Sequence, residues 1–400
     1  MIMRRAVRPI HLTALGIHTR IMLGSYLTRT LTVSAALMTI ALTIDLWPQI
    51  VMLQDGGGFL PWEIVRLAAL RLPDLLPPFL PFAAFLGVVW SESAFTESRE
   101  RMLIWNSGRS PVLCLVPAVL AGLVMGVTQF GIDALLRPAA IHAQIAEKLG
   151  REGIRLDRTQ SGGNHWIALP DGLLRAEIEY GPPLKLHNAT IYKLDAAGHL
   201  FEVDTAALAE PLPNDRWKLT QGRYWRATYS EGTVISTDGQ GQEVETPFDT
   251  RTISMSLNDL WLRNLGMSPQ YLWLGELQQL SHAAIVSRDQ SGYRTRLQAV
   301  FGEMLFTLGM SLLGAVLSML AFPYVVRWQR LVAVLLAGYG AHFASKALYL
   351  MGEFGYINPI VAGWLPATLL LLGVAGVIVV IQKKRGIGVG LKDMPALADA

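Results

Sequence analysis

Only one cysteine occurs in the 400 residues, Cys114, and it falls inside an apolar run. No internal disulfide can form, whichever compartment holds the polar part of the chain. Cys114 reads as a small packing residue of a helix. Charge is scarce too: Asp, Glu, Lys and Arg make up 16% of the chain, against about 25% in soluble domains. The net charge of +3 is too small to argue for a nucleic-acid partner. There is no G-x-x-x-x-G-K followed by Ser or Thr, so no nucleotide is bound and hydrolysed through a P-loop. Neither H-E-x-x-H nor C-x-x-C occurs, and the eight histidines are scattered without ligand spacing. Gly386-Ile-Gly-Val-Gly390 lacks the strand and helix of a dinucleotide site. No catalytic constellation, metal or cofactor is therefore expected. A role that needs energy must draw it from another protein. A cleavable signal peptide is not expected either, because the first apolar run begins near residue 31 and no small-residue cleavage pattern follows it.

What is present is a set of long apolar runs. Three lie near 31–53, 64–90 and 111–136, and three near 297–321, 329–351 and 359–382. Each is long enough to cross a hydrocarbon core of about 30 Å as a helix. The block 138–290 between the triplets is polar and punctuated by Gly and Pro. The expected fold is an α-helical membrane protein with six transmembrane helices, three and three, carrying an inserted all-β domain.

The basic residues orient it. Residues 1–30 carry Arg4, Arg5, Arg8, Arg20 and Arg29, the loop 91–110 carries Arg99, Arg101 and Arg109, and Arg327 and Arg330 follow the fourth run. The tail has Lys383, Lys384, Arg385 and Lys392, whereas the loops 54–62 and 352–358 have no Lys or Arg. By the positive-inside rule both termini are cytoplasmic. The large domain is then outside, which in a double-membrane bacterium is the periplasm. Residues 10–30 interleave Ile and Leu with Arg and His, so 1–30 is expected to be a cytoplasmic or interfacial helix leading into the first span. Residues 383–400 form a cytoplasmic tail.

Between about 160 and 256 short strand-like segments alternate with turn signals such as Pro170-Asp-Gly172, Gly181-Pro-Pro183 and Asp238-Gly239. This pattern predicts a sandwich, jellyroll or open barrel. The leucine-rich stretch 257–283 reads as helical and returns the chain to the membrane, so the outer domain with its connecting helix spans 138–290.

Charges within spans are costly and need an explanation. Arg66 and Arg71 in the second run, Arg137 closing the third, Arg294 and Arg296 opening the fourth and Lys346 in the fifth all fall near the outer leaflet. His342 is four residues before Lys346 on the same face. One reading is a cationic cavity for the phosphates of a lipid headgroup, formed by Arg71, Arg137, Arg296 and Lys346. The other is snorkelling and intramembrane ion pairing, with Asp45, Asp74, Asp133 and Glu303 as partners. Pro73, Pro77, Pro78 and Pro81 predict a kinked second span lining a cavity.

On the inner side, Glu97 and Glu100 precede an apolar patch of Met102, Leu103, Ile104 and Trp105, and Ser107-Gly108 ends the segment. A short amphipathic helix at about 94–108 is expected along the cytoplasmic face. It either docks into a groove on a partner or packs on lipid.

Four stretches resemble the LptF/LptG permease family of lipopolysaccharide export. Leu72-Pro-Asp with Phe79-Leu-Pro-Phe-Ala-Ala-Phe-Leu-Gly87 looks like its second span, and Glu100 to Gly108 looks like its coupling helix. Asp215-Arg-Trp-Lys-Leu-Thr220 looks like a jellyroll strand. Gly355-Tyr-Ile-Asn-Pro359 with Trp364-Leu-Pro366 looks like the entry to the sixth span, slightly more in the LptG manner. The resemblance implies a non-catalytic permease subunit and a second six-helix permease subunit beside it in a heterodimer. It also implies a dimer of a cytoplasmic ABC ATPase of the LptB kind, which binds the ATP, and periplasmic bridge proteins of the LptC and LptA kind. Lipopolysaccharide is the implied cargo, and 94–108 the implied ATPase-coupling segment. There are departures. LptG-type members carry lysines in the first span that meet lipid phosphates, and here there is no Lys or Arg between Arg29 and Arg66. The family's proline early in the fourth span is also missing.

Two other readings remain open at this stage. A membrane-anchored receptor or assembly scaffold would use the β domain without transport and would not need a docking helix. A lipid-modifying enzyme would need an acid/base pair or metal cluster, and none is visible.

Overall fold

Residues 17–47 contain no proline, and they fold as one helix that runs on through Gly24 and Pro48. The computed structural model describes residues 16–54, 61–106, 111–160, 163–169, 171–180, 183–195, 197–213, 216–230, 233–235, 245–255, 257–283 and 289–386. Helix α1 (Ile17–Gln54) is 38 residues long, about 57 Å at 1.5 Å per residue. It does not begin as a separate interfacial segment ending at residue 30. Met22, Tyr26, Thr30, Ser34 and Met38 recur every four residues and are all buried against protein.

The prolines do more than kink the second run. They divide it into α2 (Pro61–Leu75) and α3 (Leu80–Glu97), bent by 83° at the four residues between. Pro77, Pro78 and Pro81 supply no backbone N–H, so no helical ladder can pass through this stretch. At 18 residues, α3 is about 27 Å long and nearly crosses a hydrocarbon core without α2. After Arg99, whose φ is 61°, comes the short α4 (Glu100–Asn106). The third run holds α5 (Pro111–Cys114), α6 (Val116–Gly131), a π turn (Ile132–Leu136) and α7 (Arg137–Ala146). Pro138 has no N–H to donate, and the hydrogen-bond ladder just ahead of it widens to a five-residue step. Helix α8 (Gly150–Gln160) then leads to the inserted β domain.

That domain has β1 (Asn164–Leu169), β2 (Gly172–Glu179), β3 (Lys185–Leu194), β4 (Leu200–Leu212), β5 (Arg216–Arg226), β6 (Thr228–Ser230), β7 (Thr233–Ile235) and β8 (Thr246–Ser254). The large sheet has the order β1-β2-β3-β4-β5-β8 with antiparallel neighbours throughout, and β6 and β7 form a separate ribbon. Among the described residues this is a sequential meander, without the Greek-key crossing between two sheets that a jellyroll implies. Trp217 and Leu219 of the family-like strand segment point into the core with Leu174, Leu186, Ile191 and Ala209.

The expected return helix is interrupted. It is α9 (Asp259–Arg263), a 3-10 turn (Pro269–Tyr271) and α10 (Leu274–His282). The breakers are Gly266, at φ 77°, and Pro269. These pieces pack against α7, α8 and α11 through Ile141, Leu156, Tyr271, Leu277, Leu280 and Tyr293, which form a neck below the sheet.

The last triplet is α11 (Asp289–Ala321), α12 (Trp328–Glu353) and α13 (Pro359–Gly386). Among the described residues five helices are long and apolar enough to cross a membrane, or six if α2 and α3 count as one broken span. Helix α11 lies at the centre and packs on α3, α6, α12 and α13. Small residues allow the closest crossings. A Cβ on Gly87 of α3 would lie 2.3 Å from Thr30 Oγ1 of α1.

Candidate functional site

The four cations singled out from the sequence come together in one chain of ion pairs. Each of the three arginines is shared between two carboxylates, and the lysine ends the chain on one. Arg71 of α2 forks onto Asp45 of α1, with Nε at 2.7 Å and Nη2 at 2.8 Å. Its Nη1 reaches Asp74 at 3.2 Å. Arg137 lies 3.3 Å from Asp74 through Nε and donates Nη1 to Asp133 at 2.6 Å. Arg296 of α11 donates to the same Asp133 oxygen at 2.7 Å and lies 3.8 Å from Glu303. Lys346 of α12 closes the chain on Glu303 at 2.8 Å.

Four cations thus alternate with four carboxylates from α1 to α12, and their formal charges cancel. Neutral groups complete the site. Tyr271 in the neck donates to Asp74 at 3.1 Å, and Gln129 donates to Glu303 at 3.3 Å. Gln49 donates to Asp45 at 3.1 Å and accepts from the Arg151 backbone N–H at 3.1 Å. The site therefore ties α1, α2, the π turn, α7, α11 and α12 to one another and to the neck. Arg71, Arg137 and Arg296 are buried, whereas the Lys346 side chain is 31% exposed. Beside Lys346, His342 stacks on Phe82 at 5.7 Å, and Phe82 meets Tyr339 edge-on at 5.9 Å. Arg66 pairs with Glu147 away from this chain, and Arg294 donates to the Ser281 carbonyl at 2.8 Å.

The bend between α2 and α3 and the π turn place these groups. The bend directs Asp74 at Arg137, and the π turn carries Asp133 on one side of the break and Arg137 on the other. The acids were visible as candidate partners, but not their assignment. Lys346 and Glu303 are 43 residues apart and Arg71 and Asp45 are 26 apart, so no local pattern links them.

The expected coupling segment lies at the other end of α3. Glu97 ends α3 and Glu100 begins α4, and both are exposed. Met102 is half-buried and Leu103 is 70% exposed. Ile104 and Trp105 belong to the helix, though their side chains lie outside the described residues, as do Ser107 and Gly108 altogether. The structure adds a group that sequence reasoning passed over. Arg101 is buried and pairs with the fully buried Glu92 of α3, and Tyr26 of α1 donates its hydroxyl to Glu92. Glu92 stands at the end of an apolar run and reads from the sequence as a loop residue, which concealed it.

The large sheet has a charged cluster beside its apolar core. Lys193 lies 2.7 Å from Glu202 and 3.3 Å from Asp204, and Arg251 reaches them at 2.9 and 2.8 Å while stacking on Tyr224. Burial opposes charge at both acids. At Glu202 the Lys193 hydrogen bond and the nearby cations overcome it, and its carboxyl sits below the ordinary range. At Asp204 burial prevails and the carboxyl is pushed up. Among the described residues no group of His, Cys, Asp and Glu is placed to hold a metal ion.

Comparison with curated proteins gives no match. A family model does match: the one described as lipopolysaccharide export system permease LptF/LptG aligns with residues 20–380, which takes in both helical triplets and the sheet between them. The chain belongs to the LptF/LptG permeases of lipopolysaccharide export.

Proposed function

We propose that the chain is the non-catalytic permease subunit of an ABC transporter that draws lipopolysaccharide from the inner membrane and passes it to a periplasmic bridge. Its family consists of inner-membrane permease components rather than enzymes. The observation that carries the finer reading is the family match together with α4, a short helix with an exposed apolar residue at the end of α3 remote from the ion-pair chain. In this reading the exposed face of α4 docks on the ATPase, with Met102, Leu103, Ile104 and Trp105 in its groove, Glu97 and Glu100 at the rim, and Ser107 and Gly108 closing the segment. The basic loops keep both termini and α4 in the cytoplasm and the sheet in the periplasm. A second six-helix permease subunit faces the open side of the bundle, and bridge proteins continue from the sheet.

The ion-pair chain refines the substrate reading. Arg71, Arg137 and Arg296 are engaged by carboxylates on the same chain, so they set the shape and field of the outer cavity. Lys346, half-exposed beside Phe82, Tyr339 and His342, is the cation that offers itself to a headgroup phosphate.

Purification of the tagged chain in mild detergent, with mass spectrometry of proteins and lipids, tests this reading. An ATPase, a second six-span subunit and bound lipopolysaccharide are expected, and Trp105→Asp should remove the ATPase. A lone chain with neither ATPase nor glycolipid would point to a receptor or scaffold instead.

A further inference from the structure

Arg101 faces the wrong way for a docking residue. Of the α4 side chains described it is the buried one, while Glu100 and Leu103 on the same helix are exposed. Its guanidinium is directed inward at Glu92, which has no exposed surface, and Tyr26 closes the group from α1. A carboxylate this deeply buried stays charged only with a partner.

A second observation concerns the backbone between the two residues. Ser98 and Arg99 interrupt the helix, and Arg99 takes a left-handed φ of 61°. Left alone, such a break is a hinge, and α4 could tilt against α3 without moving it. The Arg101–Glu92 pair spans that break.

The body on the far side of the break is well tied. Ser25 donates its hydroxyl to Ser91 Oγ at 3.4 Å. Arg29 Nη1 donates to the Trp90 carbonyl at 3.1 Å, and the Arg29 guanidinium lies 5.6 Å from the Trp90 ring centre. Tyr26 and Phe95 are in ring contact at 6.4 Å. The inner halves of α1 and α3 therefore behave as one unit.

We propose that Arg101 is a positioning residue that, through Glu92 and Tyr26, locks the ATPase-docking helix to α1 and α3, so that movement imposed on α4 is delivered to both spans together. This rests on the docking reading of α4. The lock makes no contact with the ATPase or the lipid. Its loss uncouples the two without preventing either from binding.

The test uses the full chain with its co-purified partners, reconstituted in liposomes that contain lipopolysaccharide. Lipid released and ATP hydrolysed are measured together. Arg101→Met should leave the complex assembled and basal hydrolysis within about twofold of wild type, while lipid released per ATP falls about tenfold. Arg101→Lys should restore part of the ratio, and Tyr26→Phe, which removes one hydroxyl, should lower it less than Arg101→Met. An unchanged ratio in Arg101→Met overturns the lock. If Arg101→Met fails to assemble, Tyr26→Phe decides, and a wild-type ratio there overturns the proposal. A wild-type complex that contains no ATPase overturns the docking reading itself and the lock with it.

Discussion

Asp133 accepts hydrogen bonds from Arg137 and Arg296 through a single oxygen, at 2.6 and 2.7 Å, and both guanidiniums are buried. Burial leaves little room for solvent to replace it at either. Removing one partner of a buried pair costs about 3–5 kcal/mol, because the remaining charge is left under-compensated, and without Asp133 the two arginines keep only the longer carboxylate contacts to Asp74 and Glu303, at 3.3 and 3.8 Å. Asp133→Ala should therefore lower the thermal unfolding midpoint of the detergent-solubilised protein sharply. Lys346→Ala should lower it much less, since the Lys346 side chain is 31% exposed and Glu303 keeps contacts to Gln129 and Arg296. Equal losses in the two variants would contradict this ranking. The same logic bears on Arg71→Glu, which sets a third carboxylate against Asp45 and Asp74 and so acts on stability before it acts on lipid. At this scale the sequence showed which residues carry charge inside the spans. Local spacing offers Arg71–Asp74 and Arg137–Asp133, but the links that join the pairs into one chain, Arg71–Asp45, Arg137–Asp74, Arg296–Asp133 and Lys346–Glu303, depend on which helices touch.

Among the elements, α11 has the most demanding position, with four neighbours around it. Its contact with α13 is set by backbone rather than by side chains: a Cβ on Gly302 would lie 1.9 Å from the Gly363 carbonyl oxygen. A carbonyl in a helix cannot swing aside as a side chain can. Gly302→Val should push the two helices apart at a cost of about 1–3 kcal/mol or more, in the range of core overpacking. Gly376→Val on α13, where a Cβ meets nothing within 4 Å, is the control and should unfold near the wild-type midpoint in the same thermal scan. Most elements were legible because apolar runs and turn residues announce them. The exceptions have local causes. Strand β8 falls inside the segment expected to hold strands, but its bounds are not marked in the sequence, because Thr246–Ser254 is largely exposed and shows no clear apolar alternation. The described part of the helix expected before residue 31 is continuous with the first span in α1, where Met22, Tyr26 and Thr30 form a buried stripe and Arg20 is exposed. The prolines of the second run predict a kink, but not its 83° angle, since lost hydrogen bonds permit a bend without fixing its size.

For the molecule as a whole, the arrangement places the sheet and neck at one end of the bundle and α4 at the other, with α3 spanning about 27 Å between them. The two ends must then face opposite compartments if α3 crosses the bilayer, and the basic loops assign α4 to the cytoplasm. The lone cysteine makes this directly testable. Cys114 is buried, so Cys114→Ala gives a background free of native thiols. Trp166 on β1 is 60% exposed and Leu103 on α4 is 70% exposed, so a cysteine at either site meets solvent. With a membrane-impermeant maleimide on cells whose outer membrane alone has been permeabilised, Trp166→Cys should label and Leu103→Cys should not. Breaking the inner membrane should then make Leu103→Cys reactive. The opposite pattern would invert the protein and remove α4 from the reach of any cytoplasmic ATPase. Labelling of both before the inner membrane is broken would mean that α3 does not cross, leaving α2 and α3 as a re-entrant pair on one side.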